Sequence, residues 1–415
     1  MENEKSSKRN CGKSCRRENS AVMRILFVMS EQQQNASIMC ALERMGHEVG
    51  KYPAAAESIG GVGRGEVAKM HFRTFLENSG IDFVISNVFG FGIAQATFEL
   101  GIKYAVYGMD SPMYETYLPV FPRYDNCYLF FFDKREWQMA KRQGYTNVYY
   151  LPLAADVAWA GNLVITEEEI KRYSSDMSFV GGLYSDNLYD QYIERFPGEV
   201  QQIFTEMMEK SAFQWDGQDR LGALMTSELA AYVRGRCPEL YTRPYEMSNE
   251  YYLKEYFFAR KLTHIERTLL TELLAERYDL HLYTRNDEIV PEGVRRFPQI
   301  SQMIDGFKVF YSSKINLNIT MRSIESGIPM RVFDIMSVGG LVLSNYQEEI
   351  PELFEEGKEI VTFRTPEELI EKADYYLKHE KERMEIGING YKKVKKCYTY
   401  EHQLNKIISI LFPPH

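Results

Sequence analysis

In the run SGIPMRVFDIMSVGG, Arg331 and Asp334 stand three residues apart, so on a helix they share one face. Val332, Phe333, Ile335 and Met336 cover the other faces. A guanidinium presents a fork of donors that suits a pyrophosphate, and a carboxylate accepts from the paired hydroxyls of a ribose. An ordinary i,i+3 ion pair uses the same two residues, so the place where the helix starts matters. The run predicts a helix over Ile328 to Val338, with Ser326 as its cap, Pro329 in its first turn and Gly339 with Gly340 ending it. It follows the strand-like KINLNIT (314–320), so its first turn falls at a strand's carboxyl end, where free amides and the helix dipole favour an anion. The Gly327 region supplies those amides, and Lys314 and Arg322 at the two ends of the strand add positive charge.

A second phosphate-loop candidate is MSFVGGLYSDN (177–187), where an apolar strand runs into Gly181 and Gly182 and then into small polar residues. For proton transfer the candidates are Asp110, which follows IKYAVYG (102–108) and opens the turn Asp110-Ser111-Pro112, and Glu31, which follows MRILFVMS (23–30). A carboxylate at a strand end can take a proton from an attacking hydroxyl or orient it. Asp before Ser and Pro is also a turn former that bonds its own backbone. No D-x-D triplet occurs, so a metal-bridged diphosphate lacks its usual carboxylate pair and no metal is expected.

These residues need strands to carry them. Short apolar runs at 23–30, 81–87, 102–108, 127–133 and 148–156 alternate with helix-like stretches at 36–45, 93–99 and 136–142. That rhythm predicts an α/β fold with a parallel, doubly wound sheet reaching about residue 160. A second series runs through 177–187, 278–284, 314–320 and 340–345, interrupted by a charged helical stretch at about 187–277. The expected organisation is a disordered basic tail (1–20), a Rossmann-like domain (21–160), a second Rossmann-like domain (161–398) and a closing helix within 399–415. A chain of 415 residues exceeds the size at which one core stops growing, which agrees with two domains.

The net charge of -9 has the wrong sign for a protein whose main partner is nucleic acid or an anionic membrane, so any phosphate site is a local basic pocket. The longest early apolar run, Met23 to Met29, is too short to span a bilayer. The six Cys are scattered, as reduced thiols in a cytoplasmic protein would be. Lys5, Lys8, Arg9, Lys13, Arg16 and Arg17 form a basic arm suited to weak peripheral contact with a membrane surface.

The stretch from Ser312 to Tyr400 resembles the C-terminal half of the CgeB-type spore-maturation glycosyltransferase family, through KINLNIT, SGIPMRVFDIMSVGG, LSNYQEEIPELFEEGKE and INGYKKVKKCYTYEH. DMSFVGGLYSDN is similar to the family's domain-opening strand and loop, and MDSPMYE with FFFDKREWQMAKRQGYTNVYYLPLAAD to its N-terminal module. The resemblance implies a GT-B fold, two Rossmann-like domains facing a cleft, with a nucleotide-sugar donor on the second domain and the acceptor entering from the first. It implies no required cofactor beyond a UDP-, GDP-, CDP- or dTDP-sugar as substrate. Asp334 falls where the wider superfamily places the second acid of its E-x7-E motif, which holds the donor ribose. Asn345, Gln347 and Glu348 resemble positions facing the donor, and NYQEE equally fits a polar turn capping the helix that follows Pro351. The sequence departs from the pattern at two points: Ser326 stands where the first acid belongs, with Glu325 one place off, and Tyr398 stands where the family has His. Two other readings use the same fold: a nucleotide-sugar epimerase, and a spore-coat or surface-assembly protein that has lost catalysis.

Overall fold

A computed structural model describes residues 22–29, 35–53, 66–113, 124–241 and 248–414. Glu31 and the basic arm lie outside them. The apolar runs form two sheets of six strands, with every strand pair parallel. The first holds β1 (Arg24–Met29), β2 (Glu48–Pro53), β3 (Phe83–Ser86), β4 (Lys103–Tyr107), β5 (Cys127–Phe131) and β6 (Val148–Tyr150), in the order β2-β1-β3-β4-β5-β6. The second holds β7 (Met177–Val180), β8 (Leu280–Tyr283), β9 (Arg296–Phe297), β10 (Ile315–Asn318), β11 (Val342–Asn345) and β12 (Val361–Phe363), in the order β12-β11-β10-β7-β8-β9. Ile25 to Val28 are buried on both faces, the state of a parallel strand covered by helices on either side. The sequence rhythm does not show β2, because EVGKYP is a half-exposed edge strand with little apolar content.

Each sheet reverses its strand order once. In the first sheet the reversal lies between β1 and β3; in the second it lies between β7 and β10, which pair through Ile315 with Met177 and Asn316 with Ser178. Ligands of open α/β sheets bind outside the carboxyl ends at such switch points.

Between β7 and β8 the described chain is helical and builds its own apolar cluster around Phe204, Phe257 and Phe258. Its last helix, Arg260–Ala275, is the crossover of the second sheet rather than part of an insertion, because Leu270 and Leu274 are buried against Met177, Leu280 and Leu317. The final helix, Tyr400–Leu411, returns to the first domain, where Gln403 Nε2 donates to Pro152 O at 2.9 Å and Ala155 N to Tyr398 O at 2.7 Å. Tyr398 itself packs its ring against Phe333 and Phe354, with centroids 6.0 and 5.6 Å away.

Candidate active site

The carboxyl ends of the two sheets face each other across a cavity of about 320 Å³. Asn87 after β3 and Gly108 and Asp110 after β4 form one wall; Tyr184 after β7, Ser323 after β10 and Arg260 form the other. Asp110 is exposed there.

At the switch point of the second sheet lies Arg331, on the helix Met330–Ser337. Its Nη1 donates to Asn318 Oδ1 at 3.0 Å, and a side chain on Gly181 would come within 2.5 Å of its Nη2. Glycine at 181 therefore leaves room for the guanidinium against the end of β7. Arg331 is half-buried, with its charge 5.0 Å from the Phe179 ring centroid, and the Arg267 guanidinium lies 5.3 Å from the same ring. Burial first, and repulsion from Arg267 second, pull the Arg331 pKa down to about 9. Arg267 spends its donors on the carbonyls of Ile319 and Gly182, at 2.5 to 3.1 Å. Arg331 has no ion-pair partner among the described residues. A desolvated guanidinium in that position is a strong attractor for an anion.

Both backbone cradles expected from the sequence are filled by the protein's own carboxylates. After β7, the amides of Leu183, Tyr184 and Ser185 donate to Glu288 at 3.1, 3.2 and 3.0 Å, and Ser185 Oγ adds a fourth bond at 2.7 Å. Before the Arg331 helix, the amides of Glu325, Ser326 and Gly327 donate to Asp133 Oδ2 at 2.7, 3.0 and 3.2 Å. Gly327 thus meets Asp133 of the first domain instead of an open anion site. Nor does Ser326 cap the helix, which starts after Pro329 without a side-chain cap; Gly339, at φ +75°, does follow its end.

Ser326 belongs instead to a buried acidic cluster that joins the domains. Its Oγ lies 2.9 Å from Asp133 Oδ1 and 2.7 Å from Glu349 Oε1. Lys134 N donates to Glu349 Oε1 at 2.7 Å, and Tyr150 Oη donates to its Oε2 at 2.6 Å. Burial pushes the Glu349 carboxyl up to about 7. Glu136, also buried and beside Asp133, is raised well above the usual carboxylate range, by burial first, and it accepts from Ser111 Oγ at 2.9 Å and from Met113 N.

Several residues singled out from the sequence are committed elsewhere. Lys314 is at the amino end of β10, the far end of the sheet from the cleft, and pairs with Asp176 at 2.7 Å. Arg322 binds Glu266 and the carbonyls of Gln214 and Ser211, tying down the helical insertion. Glu348 takes Arg135 in a two-pronged pair at 2.9 and 2.8 Å across the domain boundary. Asn345 accepts from Thr320 N at 2.6 Å, and Gln347 donates to Ile324 O at 3.3 Å. Both line a crevice of about 50 Å³, room for a few waters and no nucleotide. Glu325, beside the missing first acid, accepts from buried Lys254 at 2.5 Å, and Lys254 also binds Asp219 and lies 3.3 Å from Glu255. Asp334 is 5% exposed, on the same helix as Arg331 and close enough to Tyr400 to help raise its pKa.

Sequence reasoning passed over Asp133, Glu349 and Arg260. Asp133 carries a readable signal, a strand-end Asp that caps the helix Lys134–Arg142, accepting from Arg135 N and Glu136 N. Glu349 and Arg260 carry none, since each lies in a charged stretch whose spacing fits a solvated turn or helix.

These features define a GT-B architecture: two parallel Rossmann-like sheets facing one cleft. Residues 260–409 match the family described as glycosyl transferase-like. Solved structures with the same fold include a glycosyltransferase from Rickettsia africae (10% identity, TM-score 0.52, covering 95% of this chain and 100% of that one). A sucrose-phosphate synthase from Thermosynechococcus elongatus shares 9% identity at a TM-score of 0.50, over 94% of this chain and 99% of that one. An alpha-glucosyltransferase solved in complex with UDP-glucose and DNA containing an abasic site also shares 9% identity at 0.50, over 94% and 100%. No curated protein sequence matches the chain.

Proposed function

We propose that the protein is a glycosyltransferase that takes a sugar from a nucleotide-activated donor, with the donor on the second domain and the acceptor in the cleft beside the first. The observation that carries this reading is Arg331, a desolvated guanidinium at the switch point of the second sheet without an ion-pair partner among the described residues. Gly181 leaves room for the Arg331 guanidinium at the end of β7, Arg331 neutralises charge developing on the leaving group, and Asp334 accepts from the ribose. With that charge met by a guanidinium, the step needs no metal. The CgeB-type resemblance points to an acceptor among glycans, proteins and spore or surface components, and to a cytoplasmic site of action.

Calorimetric titration with UDP, GDP, CDP and dTDP tests the donor site. One of them binds the wild-type chain, and the folded Arg331→Ala variant binds it ten- to hundredfold more weakly, the loss of a charge-assisted contact of about 1.5–3 kcal/mol. Unchanged affinity in that variant removes the assignment. A second reading, a GT-B protein without catalysis, draws on one observation: Ser326 and Glu325, at and beside the first-acid position, are held by Asp133, Glu349 and Lys254. Nucleotide-sugar hydrolysis or transfer by the wild-type protein excludes it.

A further inference from the structure

We infer that Arg260 forms a second anion site, for a phosphate or carboxylate group carried by the acceptor, separate from the diphosphate site at Arg331. The inference rests on the donor reading given above. Arg260 lies where the π-helical turn Leu253–Ala259 runs on into the crossover helix, and it lines the cavity between the domains opposite Asp110. Its Nε is buried and has no hydrogen-bond partner, and its guanidinium, 5.6 Å from the Tyr256 ring centroid, has no ion-pair partner among the described residues. A buried N–H left without an acceptor is costly, so its retention at a cavity wall marks a place for an acceptor atom from a ligand. The unmatched positive charge makes that ligand an oxyanion.

Tyr184 shares the cavity wall with Arg260. Its backbone is held in the left-handed region at φ 58° by the bond from its N–H to Glu288, and the Arg267 guanidinium lies 5.2 Å from its ring centroid. Tyr184 and Arg260 line the cavity, and Arg331 does not. The opposite wall is Asn87, Gly108 and Asp110, all from the first domain. An anion at Arg260 is therefore attached to a molecule that also reaches the first sheet's strand ends. A hydroxyl of that molecule meets Asp110, and its anionic group is held away from Asp110 by Arg260.

The test titrates the full chain, saturated with the nucleoside diphosphate that binds it best, first with inorganic phosphate and then with acetate, by calorimetry. Saturable binding of one of them to the nucleotide-loaded protein is expected, and it names the class of anion. The Arg260→Gln variant loses that binding at least tenfold while its nucleotide affinity stays within twofold; Arg260→Lys retains part of it. The thermal midpoint of each variant shows that the fold is intact. The inference is overturned if phosphate and acetate fail to bind the loaded protein, if they bind only by displacing nucleotide, or if Arg260→Gln loses nucleotide as Arg331→Ala does. If no nucleotide binds at all, the donor reading fails instead. Anion binding to the nucleotide-free protein that is lost in Arg260→Gln and kept in Arg331→Ala then still upholds the Arg260 site, and any other pattern overturns it.

Discussion

Asp133 of the first domain and Glu349 of the second meet on one hydroxyl, Ser326 Oγ, at 2.9 and 2.7 Å. A hydroxyl has one proton to give. If it goes to Asp133, the short contact to Glu349 is a hydrogen bond only when Glu349 carries a proton of its own, which its pKa of about 7 supplies at neutral and acidic pH. The domain boundary thus contains a proton whose loss sets two carboxylates against each other.

A pH dependence of stability follows. The Glu349 pKa lies near 7 in the fold against 4.5 for the free group, so the unfolded chain releases this proton first as pH rises. Its contribution is complete below about pH 4.5 and is lost as pH climbs toward 7, by up to about 3 kcal/mol. Glu349→Gln has no proton to lose. Urea midpoints of the wild-type chain should fall over this range by more than those of the variant, and parallel profiles for the two would contradict the assignment.

Asp133 holds the two domains together from the other side. Replacing it by Ala leaves the amides of Glu325, Ser326 and Gly327 without their acceptor in a buried place. The expected cost is about 3 kcal/mol or more, since each stranded donor costs roughly 1–3 kcal/mol. Urea denaturation measures it; a loss under about 1 kcal/mol would mean that the loop repairs its bonds with water.

The fold was legible from the sequence because parallel strands buried on both faces read as short apolar runs, and nine of the twelve strands lie in such runs; the polar edge strand EVGKYP, the two-residue Arg296–Phe297 and the three-residue Val361–Phe363 are too polar or too short to show. Positions around the candidate site were legible only where a residue type and a fold rule coincide, as for Arg331, whose helix starts at a switch point. The two glycine-containing loops misled for a physical reason. Amide cradles attract anions, and residues distant in sequence, Glu288 and Asp133, supply them. Spacing along the chain cannot show a carboxylate that arrives from 105 or 193 residues away.

Arg331 should cost the protein stability in the absence of ligand. A desolvated guanidinium without an ion pair in contact is a burden that hydrophobic replacement relieves. Arg331→Met is expected to raise the thermal midpoint of the nucleotide-free chain while abolishing the increase that nucleotide gives the wild type. A lower midpoint without nucleotide would show that Arg331 is a structural residue held by Asn318.

For Asp334 the discriminating comparison is between ligands. Asp334→Asn keeps the size of a side chain that is 5% exposed and removes its charge. If the carboxylate accepts from ribose hydroxyls, nucleoside diphosphate binding weakens by about tenfold while inorganic pyrophosphate binding stays near its wild-type value, the scale of one hydrogen bond to a charged group. Equal losses for both ligands would place Asp334 in the fold and not at the ribose.

Asp110 is the residue on which catalysis is most directly tested. It follows β4, is exposed, and lines the cavity together with Arg260 and Ser323 of the facing domain, the place where an acceptor hydroxyl would enter on the proposed reading. Glu136, the other carboxyl near this turn, is buried and raised well above the usual range, and accepts from Ser111 and Met113, which leaves it a structural acid. An Asp110→Asn protein should bind donor nucleotide with unchanged affinity and transfer sugar at least ~100-fold more slowly, the scale of losing a general base. Should the reaction retain anomeric configuration, the leaving diphosphate can take the proton itself. Asp110 then positions the hydroxyl, and the variant's defect appears in the KM for acceptor more than in kcat. Wild-type kcat and KM for a verified acceptor in Asp110→Asn would assign the residue to the turn alone.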